Sequence, residues 1–166
     1  MSYAISPIIG IDLTQLGTGG ETAQKLIPAY ALGTKIIFND GVYQYCKAAG
    51  SVAAGDLVKI TPAAGAYTFV SGTTTLLPAT EPAKVGVATI AFSSGQYGWV
   101  FVGPGLVSVY CETSCAQDVK LYTHATAGHV DDTAATLING LKLITTITTA
   151  AVSPCVAECE LATVIA

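Results

Sequence analysis

Apolar and polar positions alternate in short runs along this chain, and the runs are broken by glycine, proline, asparagine and aspartate. That pattern predicts strands rather than helices. The densest stretch runs from Lys84 to Tyr110, where Lys84–Phe92, Trp99–Val102 and Leu106–Tyr110 form three expected strands of an antiparallel meander. Ser93–Gly98 and Gly103-Pro104-Gly105 are the expected turns between them. In the central run Trp99 and Phe101 fall on one face and Val100 and Val102 on the other, so both faces should be covered. The chain has one tryptophan, and its position in this run makes it the expected anchor of the packing.

The remaining segments follow the same logic. Lys35-Ile-Ile-Phe38, Asn-Asp-Gly41 and Val42-Tyr-Gln-Tyr-Cys-Lys47 predict a hairpin, with Val42, Gln44 and Cys46 alternating with Tyr43, Tyr45 and Lys47. Ala48–Asp56 is an expected loop, and Leu57–Ile60 an expected strand closed by Thr61-Pro62. Ala63–Ala83, with its glycines and prolines, is expected to be turn-rich and peripheral. Beyond Cys111–Cys115, a turn or short helix should lead into a strand ending near Thr123, with a turn at Gly128–Asp132. Strands are expected at Thr136–Ile138 and Gly140–Ile147 with a turn at Asn139-Gly140, and a closing strand at Val156–Ile165. The sum is an all-β fold of roughly eight to eleven strands, a compact antiparallel β-sandwich or barrel. Residues 33–166 form a single β domain in this scheme. Residues 1–32, with apolar Ile8-Ile-Gly-Ile11, flexible Gly17-Thr-Gly-Gly20 and the helix-stopping Pro28, are expected to form an extended N-terminal arm that reaches over a neighbouring subunit or surface, the alternative being a strand and loop on the domain's own sheet.

Composition narrows the function classes. Charged residues make up 11% of the chain and hydrophobic ones 51%, which would leave much apolar surface in water on an isolated small domain and favours an oligomer. The apolar runs fall well short of the ~18 residues of a membrane helix, so no membrane partner is expected. The seven basic residues are all lysines and the net charge is −4, which argues against a nucleic-acid partner. Met1-Ser-Tyr-Ala-Ile-Ser-Pro7 lacks the basic start and apolar stretch of a secretion signal, setting the expectation of synthesis in a cytoplasm.

Candidate chemistry is sparse. Cys111/Cys115 and Cys155/Cys159 repeat one spacing, and three readings stay open for them: buried free thiols, at least one disulfide, or a zinc site. Within one regular strand, Cys155 and Cys159 would lie about 13 Å apart and could not bridge each other. Cys46 is an expected small core residue. His124 and His129 with Asp131 and Asp132 have ligand chemistry, but Gly128 and the paired aspartates suit an exposed turn better. Gly17-Thr-Gly-Gly20 lacks the lysine and helix of a phosphate-binding loop. No catalytic, cofactor-binding or metal-binding residue is assigned, no cofactor is expected, and the chain is expected not to be an enzyme.

Taken in order, Ile9-Gly-Ile-Asp-Leu-Thr-Gln15, Leu32-Gly-Thr34, Gly41–Ala48, Ala-Ala-Gly-Asp56, Val85-Gly-Val87 and Gly95-Gln-Tyr-Gly-Trp-Val100 resemble tailed-bacteriophage capsid decoration (cement, head-stabilising) proteins. Ser114–Thr123 followed by Ala127–Asp132 extends the resemblance over most of the chain. The paired Cys-x-x-x-Cys segments depart from that family's pattern. What the resemblance implies is a structural virion protein that binds the outside of an icosahedral head as a homotrimer and cements neighbouring major capsid subunits. Its location would be the capsid exterior, after synthesis in the host cytoplasm. The alternative is a carbohydrate-binding or adhesin-like β-sandwich displayed on a particle surface, which exposed aromatic platforms would mark.

Overall fold

Runs of β-branched and aromatic residues, punctuated by glycine, build ten strands and no helix among the described residues of the computed structural model, which are 30–38, 41–63, 66–73, 75–80 and 82–164. The strands are β1 (Lys35–Phe38), β2 (Gly41–Ala48), β3 (Leu57–Ala63), β4 (Ala66–Ser71), β5 (Val85–Val87), β6 (Tyr97–Cys111), β7 (Lys120–Thr123), β8 (Val130–Asp131), β9 (Leu137–Leu143) and β10 (Ala151–Ala157). Their pairing closes twice on β6. One ring runs β2–β4–β3–β5–β6 and back to β2, and the other runs β6–β10–β9–β7–β8 and back to β6. β1 lies outside, on β2. The all-β barrel expected from the sequence is therefore the fold, although two pairings, β2–β4 and β6–β8, are parallel rather than antiparallel.

β6 is where the meander expectation needs correction. Gly103-Pro104-Gly105 does not turn the chain back, and one 15-residue strand runs through it. The reason is that both halves already have partners in line. Tyr97–Phe101 pairs with β2, and Gly105–Cys111 pairs with β10 over seven consecutive residue pairs. Gly103 (φ 75°) re-aims the strand between the rings, and a Cβ there would run into the Cys159 carbonyl oxygen and the Ala157 methyl.

The alternation of β6 divides the core. Val100 and Val102 point into the first ring with Cys46, Ala48, Val58, Ile60, Phe69 and Phe92. Trp99 and Phe101 point the other way, and the same side of the strand continues through Val107, Val109 and Cys111 into the second ring, against Leu121, Ile138, Leu141, Leu143 and Cys155. One face of β6 thus coats the first ring and fills the second, as one continuous cluster. Trp99 is fully enclosed, with the rings of Tyr45 and Tyr30 at 5.1 and 5.2 Å. The two-sided burial expected for Trp99–Val102 is observed.

Other boundaries moved for identifiable reasons. The hairpin forms with Phe38 opposite Gly41, while Asn39 and Asp40 lie outside the described residues. The segment expected to be peripheral instead supplies β4, whose Phe69 fills the first ring edge-on to Phe92 at 4.9 Å, and the buried Leu77. β3 runs on through Pro62, because β5 covers only Leu57–Lys59 and leaves that side of Pro62 without a ladder to break. Asn139-Gly140 is not a turn. β9 continues through it, and Gly140 (φ 74°) serves the register shift between Lys120 and Tyr122 on β7. Gly128–Asp132 is only partly a turn, since Val130–Asp131 pairs as β8. The closing strand lies earlier than expected, at Ala151–Ala157, and takes in Pro154, whose carbonyl still accepts the Ile144 N–H at 3.0 Å. Of the expected arm, residues 1–29 lie outside the described residues; Tyr30 and Leu32 pack on the main cluster, and the Gly33 N–H donates to the Tyr45 carbonyl.

Candidate functional site

Beyond the bend the even-numbered residues of β6 leave the core, so Leu106, Ser108 and Tyr110 face outward opposite Val156, Pro154 and Val152 of β10. Of these, Leu106, Ser108, Val152 and Pro154 border a groove of about 450 Å³ together with Tyr43, Thr89 and Ile144. Leu106 is 55% exposed, Val152 49% and Ile144 40%, a concentration of aliphatic surface beside the strand that joins the rings. Trp99, by contrast, is 1% exposed and unable to serve as a platform for a sugar.

The histidine and aspartate cluster considered from the sequence separates into two groups. His124, just after β7, and His129, just before β8, meet Glu112, the residue after β6. Glu112 Oε1 lies 2.6 Å from His129 Nδ1 and 3.3 Å from His124 Nδ1. Backbone bonds hold this arrangement: the Glu112 N–H donates to the Val130 carbonyl, His124 to His129, and His129 to Thr126. Tyr110 stacks on the His129 ring, centroids 3.9 Å apart and 18° from parallel. Glu112 was not singled out from the sequence; it is 12 and 17 residues from its partners, and no periodicity connects them.

Asp131 and Asp132 turn to Cys115 instead. The Cys115 thiol donates to Asp131 Oδ1 at 3.4 Å, and the Ala116 N–H donates to Asp132 Oδ2 at 3.0 Å. Burial pushes the Cys115 thiol up to about 12; a backbone hydrogen bond from Asp132 works against it, while the Asp131 hydrogen bond and the two aspartate charges add to it. Burial also works against the Asp131 carboxylate, but hydrogen bonds from Cys115, Thr133 and the local backbone outweigh it and hold its pKa below the ordinary value.

All five cysteines carry free thiols in this structure. Cys111 and Cys155 approach each other inside the second ring, and the hydrogen bond between them, followed by burial, raises the Cys111 pKa. Cys115 is held at Asp131, and Cys159 lies on the other side, within 3.4 Å of the Asn139 amide. The four therefore do not converge on one metal, and the zinc reading of this set is corrected. Cys46 is a core residue as expected, its thiol pushed up to about 12 by burial.

These features define an all-β protein organised on closed rings that share one long strand, with an aliphatic groove at the junction. No family profile and no curated protein matches the sequence. Among solved structures, the fold is similar to the N base of the head fiber gp8.5 of bacteriophage phi29, with a TM-score of 0.51 and 13% identity over 73% of this chain and 97% of that one.

Proposed function

We propose that this protein is a non-catalytic structural component of a tailed-phage head, attached to the outside of the icosahedral shell as a homotrimer and fastening neighbouring major capsid subunits. The observation that carries the reading is the likeness to a phage head-fiber base, which spans nearly the whole of that chain. It supports the expectation drawn from the ordered sequence resemblance to capsid decoration proteins. Composition supports it as well. A domain with 11% charged residues and a cluster of exposed aliphatic side chains at Leu106, Ile144 and Val152 gains by association, and simultaneous engagement of several capsomers gives avidity without a tight single site.

Attachment to the assembled lattice would stabilise the particle by mass action. The test is to assemble shells lacking this protein, add it back, and measure copy number by quantitative mass spectrometry and disassembly by heating. Saturable binding in multiples of three per site, with a raised disassembly temperature, is the expected result. A monomer that fails to sediment with shells, or shells equally heat-resistant with and without it, overturns the reading.

A further inference from the structure

We propose that Glu112, His124 and His129 form a binding site for a divalent transition metal of the zinc class, which staples the seam where the second ring closes. The donor set comes first. Two imidazoles and one carboxylate suit zinc, cobalt or nickel, whereas magnesium and calcium prefer oxygen alone.

The geometry agrees with that chemistry. The three ligand atoms lie within 4.8 Å of one another. Metal–ligand bonds of about 2.0–2.1 Å at tetrahedral to octahedral angles place donor atoms roughly 3.0–3.4 Å apart; the Glu112 Oε1 to His124 Nδ1 distance of 3.3 Å falls in that range, and the 2.6 Å hydrogen-bond distance to His129 Nδ1 lengthens into it once a cation replaces the shared proton. The Thr126 N–H donates to His124 Nδ1 at 3.1 Å, so that nitrogen presents a lone pair. It nevertheless faces the Glu112 carboxylate at 3.3 Å, an acceptor beside an acceptor, which a cation between them resolves. Coordination releases the Thr126 N–H, and a neutral His129 exchanges its Nδ1 proton for one on Nε2. Tyr110 stacked on His129 fixes the plane of that ring. All three side chains are half-buried and reachable from water, which supplies the remaining ligand position.

The location gives the site its work. The parallel closure of β6 on β8 rests on a single residue pair, Cys111 with Val130. Glu112 follows the first of these and His129 precedes the second, so a shared metal crosses the thinnest seam of the ring. The neighbouring group of Cys115, Asp131 and Asp132 is already satisfied by the thiol proton and the Ala116 N–H, and it serves as the internal control.

Untagged full-length protein, stripped with a chelator, is titrated with Co2+ by visible absorption and with Zn2+ by calorimetry, followed by thermal unfolding. One equivalent of Co2+ should bind with d–d bands of a nitrogen–oxygen site, Zn2+ should displace it, and Tm should rise with saturation. His129→Gln and His124→Gln should each weaken Zn2+ binding at least tenfold, while Cys115→Ser leaves it unchanged. If His129→Gln does not fold, the more exposed His124→Gln decides. Absence of saturable binding, binding that survives in the folded histidine variants, or binding lost in Cys115→Ser overturns the proposal.

Discussion

Gln44 illustrates how far residue-level reasoning reaches in this chain. Its alternation with Tyr43 and Tyr45 on β2 was legible, but the sequence does not say that both faces of the strand are buried. The structure puts Tyr43 and Tyr45 in one cluster and Cys46 and Ala48 in the other, leaving Gln44 on the first ring's interior side at 1% exposure. Its Oε1 meets no hydrogen-bond donor among the described residues. A buried acceptor left unpaired costs about 1–3 kcal/mol, so removing it while keeping the volume should help. Gln44→Met is expected to raise the urea midpoint, by about 1 kcal/mol of stability at unchanged m. A lower midpoint would mean the amide makes a contribution that outweighs its orphaned oxygen. Glu112 marks the opposite limit, because its meeting with His124 and His129 depends on where three strand ends arrive, which no local spacing encodes.

Among the elements, strand existence was legible and strand continuity was not. Gly-Pro-Gly at 103–105 and Asn-Gly at 139–140 have the chemistry of turns, and their dihedral freedom is used, but for a bend in β6 and a register shift in β9. What decides is whether a neighbouring strand already continues the ladder, a non-local fact. The same holds for the segment after β10, which joins two distant elements through Glu160. Its carboxylate lies 2.7 Å from Lys35 of β1 and 2.9 Å from Lys84 beside β5. The hydrogen bond from Lys35, then the one from Lys84, holds the Glu160 pKa below the ordinary carboxylate range against the opposing effect of burial. With the folded pKa depressed, this contribution is fully present above the unfolded value of about 4.3 and is lost as pH falls through the folded one. Because Glu160 is half exposed, the effect should be small and weakened by salt. Urea midpoints of the native chain and Glu160→Gln should differ more at pH 7 than at pH 3. An equal difference at both pH values would show that the contact stabilises through packing rather than charge.

At the scale of the whole molecule, two closed rings raise the question of whether the protein unfolds as two units or one. The pairing pattern alone would permit two, since β6 is the only strand common to both rings. The packing argues for one. The cluster that contains Trp99, Tyr45 and Phe101 on the outside of the first ring is the same cluster that contains Leu121, Leu141 and Leu143 inside the second. Loss of the second ring would therefore uncover part of the cluster to which Trp99 belongs, while β6 could not keep its geometry beyond the bend without β10. Leu141 is buried to 1% and lies far along the chain from the sole tryptophan, which makes the pair a direct probe of coupling. Leu141→Ala should cost about 2–5 kcal/mol. If the rings are one cooperative unit, the fluorescence midpoint of Trp99 and the far-ultraviolet circular dichroism midpoint should fall together in a single transition. A tryptophan midpoint that stays in place while the dichroism splits into two steps would establish the rings as separate folding units. Cooperative coupling also bears on the proposed role in a phage head, because a partner that binds either ring then stabilises the whole molecule against thermal opening.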